Sequence, residues 1–304
     1  MSIVPQDDPE PVAIESTAPP NRQPTVSSAP SATTTGTRGR RHQALMRLRG
    51  DIPRSVHLGL AALGVLVLLG GWALLATSMG SESFLLPTPA EAWAAGVDLY
   101  RSGDLMADLS ASGRRIAIGY GISIVIGVAF GVLIGSFRSA AAFVEPQVAL
   151  LRYIPASALT PLFLLWLGID EAPKIALIVV GTVFYNILMV ADVARAVPKE
   201  LVNASYTLGA GRLTILRRVL LPYSWPGIID VARVNLAAAW LMLVVAELLA
   251  AQQGLAFRVV RAQRFRQVDT MFALLIVFAA IGLVSDLALR ALRNRTAPWS
   301  EGSR

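Results

Sequence analysis

The run Val56–Ser78 contains no Asp, Glu, Lys or Arg, and it has the length of about 20 residues that a helix needs to cross the hydrocarbon of a bilayer. Lipid offers no hydrogen-bond partner, so such a segment must pair its backbone within itself and folds as a helix. Apolar runs of similar length recur at Ile116–Phe137, Pro146–Gly168, Ile175–Ala194, Ile228–Ala251 and Met271–Leu292. They predict an all-α integral membrane protein with about six transmembrane helices. Only 15% of the 304 residues are charged, against roughly 25% in soluble domains.

The net charge of +7 lies in arginines flanking the runs, as in cytoplasmic loops, not on a basic face that would suit nucleic acid. The chain has no Cys and two His, His42 and His57, which excludes disulfides and argues against Cys- or His-based metal chemistry.

Residues 1–55 read as a cytoplasmic N-terminal tail: a Pro-, Ser- and Thr-rich segment to about Gly36 that cannot bury enough surface to order, then Arg38, Arg40, Arg41, Arg47, Arg49 and Arg54. Residues 56–293 form the membrane domain, and 294–304 a cytoplasmic C-terminal tail. Between the first two spans, Pro87-Thr88-Pro89-Ala90-Glu91 has the form of a helix start, predicting an interfacial helix within Ser81–Asp108. Gly127, Gly131 and Gly135 share one face of the second span, where small residues let helices approach closely. Pro155 and Pro161 kink the third span, which also carries Arg152. With six spans both ends are cytoplasmic. That leaves Arg258, Arg261, Arg264 and Arg266 in an outer loop, against the positive-inside rule; the agreement of the other flanks favours the topology.

The polar insert at about 196–225 departs most from the apolar pattern. Glu200–Leu208 suits a helix, and Gly209-Ala210-Gly211 a sharp turn. Leu213, Ile215, Leu216, Val219 and Leu220 then recur at helical spacing, with Arg212, Arg217 and Arg218 largely off that stripe. Pro222 is expected to stop this helix and Pro226 to start the next span. On chemistry alone, the unit suits either a knob for a soluble partner or an amphipathic helix lying on lipid headgroups.

The stretch Asn203–Pro222 resembles the signature loop, the EAA motif, of the permease subunits of bacterial ABC importers. Ala204 takes the first Ala position, Gly209 the motif Gly, and Val219-Leu220-Leu221-Pro222 the closing element. Asn203 stands where the motif has Glu, and Ser205 replaces the second Ala. "RRIAIGYGISIVIGVAFGVLIGSFR" resembles the first conserved span of the permease core. "LRYIPASALTPLFLLWLGIDEAPKIALIVVGTVFYNIL" and "AELLAAQQGLAFRVVRAQRFRQVDTMFALLIVFAAIGLVSD" resemble the nitrate, sulfonate, taurine and bicarbonate branch. The similarity covers about Val56 to Arg293.

The resemblance implies an ABC type I importer permease-like fold in a bacterial inner membrane, usually a homodimer or paired permease. Its partners would be two cytoplasmic ABC ATPase subunits and an extracytoplasmic substrate-binding protein. No G-x-x-x-x-G-K-[ST] loop occurs in the chain, so ATP and Mg belong to the partner ATPase and the chain itself is not an enzyme and binds no cofactor. The insert becomes the ATPase-coupling loop: Asn203 and Ala204 in the motif, Gly209 for the turn, Leu213, Leu216 and Leu220 as the docking ridge, Arg212 and Arg217 as its polar edge, and Leu221 and Pro222 closing it. The expected solute is small and anionic, such as a sulfonate, taurine or nitrate; a thiamine-precursor pyrimidine is the alternative. Glu247 is a candidate for the path or else a solvated helix end, and Asn186 for the path or an interhelical hydrogen bond. Asp286 and Arg290 form a helix-end pair. The outer arginines suit an anion electrostatically. A secondary transporter would carry several charges inside its spans or a repeated half, and neither is evident; an intramembrane enzyme would need a catalytic set the spans lack.

Overall fold

The computed structural model describes residues 53–78 and 85–299; the N-terminal tail, the basic stretch before Pro53 and the last five residues lie outside them. Compactness divides the chain into Met1–Leu63 and Gly64–Arg304. Of the first unit, the described residues begin the helix α1 (Arg54–Ser78). In the second unit α1 continues to Trp72, whose ring stacks on Phe272 at 5.4 Å and whose indole N–H donates to Pro87 O.

The predicted interfacial helix is α2 (Pro89–Arg101), opened by a capping box in which Thr88 and Glu91 satisfy each other's backbone N–H. Asp104 and Asp108, grouped with it in the sequence, belong instead to α3 (Asp104–Ser136). At 1.5 Å per residue α3 is about 50 Å long, well beyond the roughly 30 Å hydrocarbon layer, so the second span starts earlier than its apolar run. α4 (Arg138–Leu151) also starts before its run and passes through Pro146 unbroken. A 3-10 turn (Ala156–Leu159) and α5 (Thr160–Leu167) follow, bent from α4 by 79°. The break falls at Pro155; Pro161 sits in the first turn of α5, where its missing N–H costs nothing.

Next come α6 (Glu171–Arg195), α7 (Lys199–Thr207), α8 (Arg212–Ile215), α9 (Leu221–Ala250), α10 (Leu255–Arg264) and α11 (Val268–Thr296). The expected outer loop between the last two spans thus contains a helix. Among the described residues, five helices are long and apolar enough to cross a membrane, and up to six spans result if α4 and α5 count together.

Packing supports counting them together. A Cβ on Gly119 would meet Ile178, on Gly127 Asn186, on Gly131 Val190 and on Gly135 Ala194, most at under 3 Å. Both series ascend together, so α3 and α6 run parallel, in near backbone contact. The chain between them must therefore return across the bilayer. The ends agree: Arg115 of α3 meets Glu171 at the start of α6, and Glu145 of α4 meets Arg195 at its end. α9 runs antiparallel to α3, with Glu247 beside Arg115 and Ile228 and Val231 clustered with Val132.

Pro222 does not stop the helix, contrary to the sequence expectation. α8 widens into a π turn over Leu216–Leu220, Leu221 N–H reaching back five residues to Leu216 O, and continues into α9. Pro222 falls in the first turn of α9, where the widened turn accommodates its ring.

Candidate functional site

At the Arg195 end, α7 and α8 form an elbow. Gly209 has φ +80°; its N–H bonds Tyr206 O and that of Ala210 bonds Ser205 O, a Schellman motif that closes α7 and requires the left-handed conformation glycine tolerates. The apolar stripe beyond it divides. Ile215 is fully buried and Leu216 packs with Val132, Val190, Ile228 and Val231, so Leu216 anchors the elbow to the bundle. Leu220 lines a cavity of about 480 Å³ with Arg138, Arg195, Lys199 and Asn203. Leu213 is exposed, as are Leu208 at 87% and Tyr206 at 51%; Ala204, Arg212, Arg217, Arg218 and Pro222 are exposed too, and Leu221 is half-buried. The exposed apolar edge of the elbow is thus Tyr206, Leu208 and Leu213. Tyr206 and Leu208 were absent from the sequence expectation because periodicity within α8 says nothing of the preceding turn.

The opposite end is held by a buried ionic network. Glu247, 1% exposed, accepts from Arg115 Nη1 at 2.8 Å, Ser112 Oγ at 2.6 Å and Ala256 N–H at 2.9 Å; it is no solvated helix end. Arg115 also holds both Glu171 oxygens and Gln253 O, and Lys174 joins Glu171 at 3.0 Å. Asp108 accepts from Gly254 N–H and, with Asp104, from Arg258. Burial opposes the charge on Arg258, but hydrogen bonds and charge from Asp108 and Asp104 outweigh it and raise its pKa above the ordinary arginine value. Not all the arginines expected in an outer loop are therefore free to attract an anion. Arg258 is neutralised, and the cavity it lines with Arg261 also contains Asp98, Asp104 and Asp269. Sequence reading missed Asp108, Ser112 and Arg115, although their spacing puts them on one helical face; nothing in the sequence supplied the partners.

Between the two ends, Ser123, Thr182, Asn186 and Asn235 form a buried polar chain across α3, α6 and α9. Thr182 Oγ1 and Asn186 Nδ2 lie 2.7 and 2.9 Å from Ser123 Oγ, and Asn235 Nδ2 donates to Asn186 Oδ1 at 2.7 Å. Asn186 is wholly buried and makes interhelical hydrogen bonds, the second of its two sequence readings. The helix-end pair is present at 2.8 Å between Arg290 and Asp286, and Asp286 also accepts from Arg233.

Residues 123–298 match the family described as binding-protein-dependent transport system inner membrane component. A probable ABC transporter permease protein of Brucella abortus (strain 2308) is 37% identical over 248 residues, covering 82% of this chain and 98% of the relative. The taurine transport system permease protein TauC of Escherichia coli (strain K12) is 32% identical over 264 residues, covering 85% and 95%. Among solved structures, a chain of the MetNI methionine ABC transporter in an inward facing form superposes with TM-score 0.57 at 21% identity, covering 62% of this chain and 94% of that one; the likeness is one of fold.

Proposed function

The chain belongs to the binding-protein-dependent transport inner membrane components, in the sulfonate and taurine branch of the ABC importer permeases, and from that premise we propose that it forms, as a pair of copies, the membrane path for a small anionic solute of the sulfonate class. It is a transport subunit of the inner membrane, not an enzyme. Two ATPase chains carry ATP and Mg, and an extracytoplasmic binding protein delivers the solute. The Arg195 end and both termini face the cytoplasm, in keeping with the arginines of the elbow and of the end of α11.

The observation that carries this reading is the elbow. Gly209 fixes its angle, Ile215 and Leu216 root it in α9 and α3, and Leu208 and Leu213 stand exposed beside Arg212 and Arg217. An ATPase that grips this edge moves α9 directly, because the π turn joins α8 to α9 without a flexible link. ATP binding would then shift the pair between inward- and outward-open states. Asn203, in place of the motif Glu, lies over a cavity lined by Arg138, Arg195 and Lys199; Arg195 takes Glu145 and Asp192 as its acids instead.

The test is uptake by proteoliposomes holding this chain with its ATPase and binding protein. ATP-dependent accumulation of taurine or ethanesulfonate is expected. Uptake by the permease alone, driven by an ion gradient, would overturn the reading; accumulation of a formylaminopyrimidine but no sulfonate would replace the solute class.

A further inference from the structure

The break between α4 and α5 carries a half-buried charge, Arg152. Arg152 caps α4, and the chain restarts at Ala156. Ala156 Cβ lies 3.4 Å from where a Cβ on Gly181 would stand. Gly181 occupies the middle of α6, between Glu171, held by Arg115, and Arg195, held by Glu145. The break therefore lies in the central part of the hydrocarbon layer.

Arg115, Arg195, Arg233, Arg258, Arg290 and Arg293 each meet a carboxylate. Arg152 meets none among the described residues. Its Nη2 donates to the hydroxyl of Tyr153 at 3.2 Å and its guanidinium sits 5.0 Å from that ring, while Nε is buried without a partner. Tyr153 is itself 74% exposed, and Ser157 in the same break is also exposed. An arginine in mid-membrane is costly to insert, and such residues mark solute and ion pathways. Here the guanidinium keeps a free donor at a point where the span is already opened.

We infer that Arg152 is the anion-recognising group of the path: its guanidinium takes the sulfonate oxygens of the solute midway across, with Tyr153 holding it in position. This assignment rests on the anionic-solute reading above. The planar fork of arginine suits an oxyanion better than a lysine point charge does, although lysine preserves the sign.

The chain has no cysteine, so Arg152→Cys gives each permease copy one reporter thiol in the assembled complex. Arg152→Gln is expected to lower the maximal rate of taurine uptake by at least about tenfold, the loss of one charge-assisted contact, with Arg152→Lys keeping a substantial part. A cationic thiol-specific methanethiosulfonate should label Arg152→Cys and restore uptake, whereas an anionic one should label it without restoring uptake. Uptake by Arg152→Gln within about twofold of the unaltered complex would overturn the assignment. So would a thiol in the Arg152→Cys variant that reacts with neither reagent, which would place it in lipid or protein, or equal effects of the two reagents. Loss of assembly in the Gln or Cys variant, judged by the ATPase that copurifies, would make Arg152 structural and equally overturn it. If the unaltered complex moves no sulfonate, it is the underlying solute reading that fails, and this assignment with it.

Discussion

Gly254 and Glu247 fit together in a way that excludes a side chain at position 254: a Cβ there would lie 2.4 Å from the Glu247 carboxylate, and the backbone has φ +137°, a region that L side chains avoid. Gly254→Ala should therefore push Glu247 off Ser112 and Arg115. The expected cost is about 1 to 3 kcal/mol, read as a fall of several degrees in the melting temperature of the purified protein. An unchanged melting temperature would contradict this packing.

The Glu247–Arg115 pair should show the asymmetry of a buried ion pair. Glu247→Leu alone strands part of the charge on Arg115 and is expected to cost about 3 to 5 kcal/mol. Adding Arg115→Met frees Glu171 toward Lys174, already 3.0 Å away, so the double variant should lose less than the sum of the single losses. A double-mutant cycle by thermal melting reads the coupling; additivity would mean the pair does not interact.

Glycines on the two sides of α3 should respond differently. Gly131→Ala would bring a Cβ to 2.7 Å from Ile187 O and Val190 Cβ and should separate α3 from α6, with a loss of about 1 to 3 kcal/mol. Gly121→Ala meets no atom within 4 Å and should be neutral or stabilising by up to about 1 kcal/mol. Equal melting temperatures for the two variants would sink the parallel α3–α6 arrangement.

Gly209→Val places a β-branched residue at φ +80°, a strain of about 1 to 3 kcal/mol, but position 209 is open, with no atom near a Cβ. The protein should fold and insert normally while the elbow angle changes. Fluorescence-detected size exclusion should show a normal monodisperse peak together with reduced ATP-dependent uptake. Full uptake would mean that the turn geometry does not matter.

Much of this architecture was legible from single residues and spacings. Long apolar runs set the spans, Pro89 with Thr88 and Glu91 announced α2, and the Gly127, Gly131, Gly135 stripe marked a close helix contact. Gly209 announced its turn because only a few residue types tolerate positive φ. What escaped depended on distant partners. Arg115 and Glu247 are 132 residues apart, and neither names the other in the sequence. Pro222 read as a stop because proline lacks the N–H a regular helix needs; the π turn before it changes the local register, which spacing alone does not reveal. The expected ridge of Leu213, Leu216 and Leu220 divides for a related reason. Helical periodicity groups Leu213 with Leu216, while the bundle packs a half-buried Leu216 against Val190 and Ile228 and leaves Leu213 outside.

The most direct measurement is copurification of the ATPase with tagged permease carrying Leu213→Asp, compared with the unaltered chain and with Arg264→Asp, an exposed substitution at the opposite end. A buried apolar anchor at an interface is worth about 2 kcal/mol or more, so Leu213→Asp should lose most of the bound ATPase while the permease itself stays folded. Arg264→Asp should retain it. Full retention of the ATPase by the Leu213→Asp variant would contradict the elbow as the site of coupling.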